Sequence, residues 1–274
     1  MAIEATTVGF ARNSAADTVL RVSARLWFGV AVAGQVIFAS YIIAFYGGAL
    51  ALGNLEAWNQ VLPNGYVAGA TVGNVVVGLH VLLAAIITLG GPLQLVPAVR
   101  AKAPVFHRWN GRVYLLTAVV VSVTGLFMVL TRGAVGGTVQ HLSISFNAVL
   151  ILVCAAMAVR YALARDFRTH RRWALRLFLV VSGVWFFRVG LMFWIGINGG
   201  PVGFDPSSFE GPALIVLGVG QYLLPLGVLE LYLRAQDKPG GADKYAVSAL
   251  LGVLTLAMAI GIAVATMGMW LPRM

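Results

Sequence analysis

The sequence contains four histidines, His80, His107, His141 and His170, each in or at the start of its own apolar run. If those runs are helices, helices two to five of a bundle carry one imidazole each. His80 and His141 fall in the outer parts of runs two and four, and His107 and His170 at the inner starts of runs three and five. Chain direction therefore sorts them into an outer and an inner pair. Six-coordinate haem iron needs two imidazoles facing each other, and two helices of a bundle can supply them at one depth. The helix from His80 to Arg100 would be about 30 Å long at 1.5 Å per residue, so the two pairs would lie towards opposite sides of a bilayer.

The side chains around these histidines suit an anionic, flat ligand. Arg188 is the one charge well inside a run, near the depth of the outer pair. A guanidinium there wants a carboxylate, which a haem propionate offers; the alternative is snorkelling or bonding to backbone carbonyls. Arg112 and Arg176, one turn into their helices, would neutralise propionates of an inner haem, although basic residues also collect at cytoplasmic helix ends for topological reasons. His107 and His170 are open to the same two readings, as ligands or as headgroup-facing polar residues. Arg132 and Gln140 could join the outer site or simply mark its interface. Gly78, Gly90, Gly91, Gly111 and Gly125 leave room for a macrocycle or for close helix packing. Gln94, Gln221 and Glu230 suit a quinone or proton route or, more blandly, interhelical hydrogen bonds.

The elements that must position these groups follow from composition. Hydrophobic residues make up 60 % of the chain and charged residues 10 %, with a mean hydropathy of +0.89, which a soluble domain could not keep off its surface. Seven apolar runs stand out, roughly 26–50, 71–98, 109–131, 138–164, 172–197, 211–234 and 244–270. Continuous runs of this length are helices and not barrel strands. The expected fold is an all-α membrane protein of about seven transmembrane helices. A short segment, 1–25, precedes a single transmembrane domain, 26–270, whose core is a four-helix bundle of helices two to five, about 71–200.

The net charge of +10 comes from basic clusters between runs, which argues for membrane orientation and against nucleic acid. Arg12, Arg21 and Arg25 precede run one, and arginine-rich or lysine-containing segments join runs two to three, four to five and six to seven. The opposite connections hold only Arg132, with Arg273 at the far tail. The positive-inside rule then puts the chain in a bacterial inner membrane, its N-terminus cytoplasmic and its C-terminus outside. Residues 1–24 have no short apolar core of the kind a signal peptide carries. The single cysteine, Cys154, rules out disulfides and cysteine-ligated clusters and reads as a packing residue. No Gly-x-Gly-x-x-Gly segment follows a strand, and run seven has no lysine between Tyr245 and Trp270 for a retinal Schiff base.

Run three opens His107-Arg108-Trp109-Asn110-Gly111-Arg112-Val113-Tyr114-Leu115, and run five His170-Arg171-Arg172-Trp173-Ala174-Leu175-Arg176-Leu177-Phe178-Leu179. Both read Trp-x-x-Arg, aliphatic, aromatic, Leu, so runs two–three and four–five look like a duplicated hairpin. These segments, with Leu79-His80 and Gly91-Pro92-Leu93-Gln94-Leu95, resemble a bacterial polytopic membrane family known only as a domain of unknown function. The helix order and histidine placement over about 71–200 also resemble the two-haem transmembrane cytochrome b-561 type. That resemblance implies one haem b between helices two and four and another between three and five.

The expected function is electron transfer across or within the membrane through one or two b-type haems, their iron held by His80, His141, His107 and His170. Electrons would come from a quinone, a small molecule or a partner membrane subunit, since no soluble domain is present to bind nicotinamide or flavin. The competing expectation is a non-redox carrier or assembly subunit with a His- and Arg-lined pocket. A zinc or copper site is the weaker third, because two histidines without nearby Asp, Glu or Cys make a poor closed site.

Overall fold

The computed structural model describes residues 14–274. The first helix, α1 (Ala15–Ala51), starts where a capping box can form. Ser14 Oγ accepts from the Asp17 N–H at 3.2 Å, and the Asp17 carboxylate accepts from the Ser14 N–H, also at 3.2 Å. The helix thus begins well before residue 26, inside the segment expected to precede it; Arg12 lies outside the described residues. α2 (Thr71–Leu95) and α3 (Pro104–Arg132) follow, joined by a short helix at Pro97–Lys102. Pro104 suits the first turn of α3 because its missing N–H would have no helical partner anyway. Gly133 and Gly136, both at positive φ, turn the chain into α4 (Thr138–Leu163).

The fifth run departs from expectation. It forms two helices, α5 (Phe167–Val181) and α6 (Gly183–Asn198), bent by 52° at Ser182. A Ser-Gly pair inside a span is a recognised cause of kinking. Ser182 Oγ donates to the Phe178 carbonyl at 2.8 Å. Asn147 Nδ2 on α4 donates to the Val180 carbonyl at 3.1 Å. Within lipid each backbone group freed by a break needs such a partner. Gln35 of α1 completes the arrangement, its Nε2 donating to Ser182 Oγ at 2.9 Å. α7 (Pro212–Asp237) and α8 (Ala242–Arg273) end the chain. Among the described residues six helices are long and apolar enough to cross a membrane, and the bent pair makes a seventh if counted as one span.

α2, α3, α4 and α5 touch in cyclic order, forming the central four-helix bundle. α8 lies along α1 and α6, closing the other side. An aromatic cluster of Phe38, Tyr41, Phe45, Tyr46 and Trp58 with the fully buried Trp270 locks α1 to the end of α8. At the other end Lys244 of α8 is only 5 % exposed and pairs with Asp17 at 2.7 Å. Asp17→Asn would leave that ammonium buried without a counter-charge. It is expected to lower the thermal midpoint in detergent, and Lys244→Met, which removes the charge altogether, to lower it less. Circular dichroism melts of the two variants check the order.

The two hairpins share the local device suggested by their common motif. Arg112 stacks over Trp109 with 4.9 Å to the ring centre, and Arg176 over Trp173 at 4.8 Å. In both, the i, i+3 spacing puts guanidinium and indole on one helix face.

Candidate functional site

A cavity of about 470 Å³ opens between α1, α2, α3, α4 and α6, bounded on one side by the α5–α6 break. Its volume is in the range of small-molecule and cofactor pockets, about 300–1,000 Å³. Val77, Val81 and Ala84 of α2, Val121 of α3 and Leu191 of α6 give it mainly apolar walls. Among the described residues three arginines also line it, Arg132, Arg188 and Arg273, and no Asp or Glu does.

His80 is in this wall, hydrogen-bonded to a threonine of α3. Its Nδ1 lies 3.0 Å from Thr124 Oγ1 on α3. The threonine hydroxyl lies 2.7 Å from the Val120 carbonyl; donating its one proton there, it accepts from His80. In that arrangement Nδ1 carries the ring proton and Nε2 keeps its lone pair. An imidazole held through Nδ1–H with Nε2 open is the arrangement that metal-ligating histidines adopt. Gly125 makes room for the ring, since a β-carbon there would stand 3.3 Å from His80 Cε1.

Arg188 is close enough to act electrostatically on His80. It sits over the Phe38 ring with 5.5 Å to the centre and reaches the Val184 carbonyl at 3.4 Å. Among the described residues it forms no ion pair. Arg132 is differently employed. It clamps the connection before α2 through the carbonyls of Asn64 and Gly65 and Asn74 Oδ1, at 2.6, 3.1 and 2.9 Å. Arg273 donates to the Met269 carbonyl at 2.7 Å.

His141 is not in the cavity wall. Its Nε2 lies 3.1 Å from the Ala134 N–H and 3.0 Å from the Ala134 carbonyl, so one nitrogen is occupied by the α3–α4 turn. It sits in the first turn of α4, whereas His80 lies nine residues into α2, so the two imidazoles are not at one depth. The other pair is brought together. His107 and His170 are within electrostatic range of each other at the arginine-rich end. His170 Nδ1 donates to the Ala158 carbonyl at 2.9 Å, which again leaves Nε2 with its lone pair. His107 Nδ1 is buried without a partner among the described residues.

Arg176 pairs with Glu230 at 2.6 Å, so its charge is already met by this protein and is not held in reserve for a propionate. Arg112 forms no ion pair among the described residues and keeps its stack on Trp109. Gln94 Nε2 donates to the His107 carbonyl at 3.1 Å and Gln221 Nε2 to the Gly218 carbonyl at 2.7 Å, so both act as local hydrogen-bonding residues. Gly78 packs on Trp58, Gly90 on Asn110, Gly91 on Tyr114 and Phe178, and Gly111 on Gln94. Close packing accounts for all four. Cys154 is a buried core residue. Among the described residues no three or more His, Cys, Asp or Glu side chains gather as for a metal ion; axial ligation of haem uses only two.

Sequence reading missed Thr124, Gln35, Asn147, Ser182 and Tyr41, all in or beside the cavity. Gln35, Asn147 and the Ser182-Gly183 pair carried a signal, being amides and a kink dipeptide inside apolar runs. The others carried none, because a threonine or tyrosine in a helix is ordinary until its neighbour across the bundle is known.

Fold and site together define a polytopic all-α membrane protein with an arginine- and histidine-lined cavity inside its bundle. Residues 77–206, which include all four histidines and Arg188, match the model of a family described as a predicted membrane protein (DUF2306), of unknown function. No curated protein and no solved structure matches the chain.

Proposed function

We propose that this protein holds b-type haem within its helix bundle and carries electrons across or within a bacterial inner membrane, its N-terminus on the cytoplasmic side. The observation that carries the reading is His80, whose Nε2 lone pair is set free by the Nδ1–Thr124 bond in the wall of an apolar cavity. The cavity's donor set fits the group. Imidazole suits the iron, apolar walls suit the macrocycle, and Arg188, which forms no ion pair among the described residues, suits a propionate. Bound haem would supply a one-electron couple. For His141 to be the second ligand, its Nε2 must give up the Ala134 backbone; His107 and His170 would serve a second haem at the arginine-rich end.

The test is the visible spectrum of detergent-purified protein from haem-replete cells, oxidised and dithionite-reduced, with a pyridine haemochrome count. A sharp reduced α-band is expected, with one haem per chain if only the His80 site fills and two if both do. A colourless preparation would end the proposal. It would favour a carrier or assembly subunit binding a small anion, which the three arginines and absent acids of the cavity wall support independently.

A further inference from the structure

We infer that the cavity also contains, beside the α5–α6 break, a binding site for an uncharged quinone or quinol ring. The inference rests on the polar groups of the cavity wall and not on haem ligation. Among the described residues seven buried side-chain polar atoms lack a hydrogen-bond partner. Five of them belong to residues in this wall: Gln35 Oε1, Tyr41 Oη, Tyr114 Oη, Asn147 Oδ1 and Trp185 Nε1. All five residues are less than a tenth exposed, at 2, 2, 7, 4 and 3 %. Buried donors and acceptors are almost always satisfied, so a concentration of exceptions around one void marks what is meant to occupy it.

The chemistry of the occupant can be read from these groups. Asn147 Nδ2 is committed to the Val180 carbonyl and Gln35 Nε2 to Ser182 Oγ. Those bonds fix the orientation of both amides, and their oxygens are left as acceptors. They call for a hydroxyl-type donor. The Trp185 N–H and the Tyr114 hydroxyl can donate, and call for an acceptor such as a carbonyl. None of the five groups is charged at neutral pH, and Ile87, Ala118 and Ile151 nearby are apolar. A flat ring with oxygens on opposite edges meets both demands, as hydroxyls in the quinol and carbonyls in the quinone. The break itself is part of the site. A straight helix would keep the Val180 carbonyl for its own ladder and leave Asn147 Nδ2 to compete for the ligand.

The experiment is calorimetric titration of detergent-purified protein with the short-chain quinone ubiquinone-1. Saturable one-site binding is expected, weakened about tenfold by Tyr114→Phe, which removes one hydroxyl while keeping the ring, and by at least as much in Asn147→Leu. Thermal melts check that each variant is folded. If Asn147→Leu unfolds, Tyr114→Phe decides alone. Binding that does not saturate, or equal affinity in wild type and Tyr114→Phe, overturns the inference, because the ring would then merely be partitioning into apolar space. Titrating haem-loaded and haem-free protein separates the two readings. Colourless protein that binds ubiquinone-1 sinks only the haem proposal, and coloured protein indifferent to it sinks only this one.

Discussion

His80→Ala is expected to abolish most of the reduced α-band of the purified protein, cutting haem per chain at least several-fold if one site is filled and to about half if two are. The imidazole is held between α2 and α3 by the Thr124 bond and the gap at Gly125, and no other histidine lines this cavity. Its loss therefore cannot be made good from within the wall. Thr124→Val sharpens the test, since it keeps side-chain shape and deletes only the acceptor for Nδ1–H. Loss of such an orienting partner commonly costs about 10–100-fold in metal affinity, so this variant should purify with partial haem and bind added haemin more weakly. Two results would count against the site: full haem content in His80→Ala, or Thr124→Val behaving as wild type in a haemin titration. Loss of haem in His141→Ala but not in His80→Ala would move the ligand to the α3–α4 turn.

The second large effect concerns the packing that shapes the cavity. Gly261→Val on α8 is expected to prevent recovery of monodisperse folded protein. A β-carbon at that position overlaps the Val189 carbonyl oxygen on α6 and would stand 2.8 Å from Val189 Cγ1. The obstacle is backbone, which cannot turn aside as a flexible side chain can. Overpacking of this kind costs typically 1–3 kcal/mol, occasionally more, and valine adds two further methyl groups to the clash. Gly34 on α1 is the counterpart, with Ile262 Cγ1 and Trp185 Cζ2 each 2.8 Å from its would-be β-carbon. Gly252, on the same α8, has nothing within 4 Å. Gly252→Ala should be neutral or slightly stabilising, because alanine is the better helix former by about 1 kcal/mol. Size-exclusion profiles and melts of Gly261→Val and Gly252→Ala measure the contrast. Equal behaviour of the two would mean that α8 does not pack against α6 at this distance.

Much of this architecture is legible in the chain. Apolar length and charge spacing are local properties, so the helices from Thr71, Pro104 and Thr138 begin within a few residues of where their runs do. The Trp-x-x-Arg echo is also local, since residues three apart share a helix face whatever surrounds them, and both stacks form. The four histidines and Arg188 stand out by type alone, and His80 and Arg188 do share one cavity. The start of α1 at Ser14 was equally written in the Ser-x-x-Asp cap, although a hydropathy window passes over it because the first turns are polar.

Only tertiary structure decided which of these groups meet. Arg112 and Arg176 occupy the same place in the motif, yet Arg176 finds Glu230 on α7, 54 residues away, and Arg112 finds no acid among the described residues. His141 shares its run position with no obvious competitor, but the two glycines of the turn before it bring the Ala134 backbone onto its ring. The break at Ser182 depends on Asn147 and Gln35, 35 and 147 residues distant, to pair the groups it exposes. Helix formation in a membrane follows from apolar length and the backbone's need to bond within its own segment, which the chain specifies locally. The rotation and depth of one helix against the next depend on contacts between residues far apart, and those determine which side chains face the cavity.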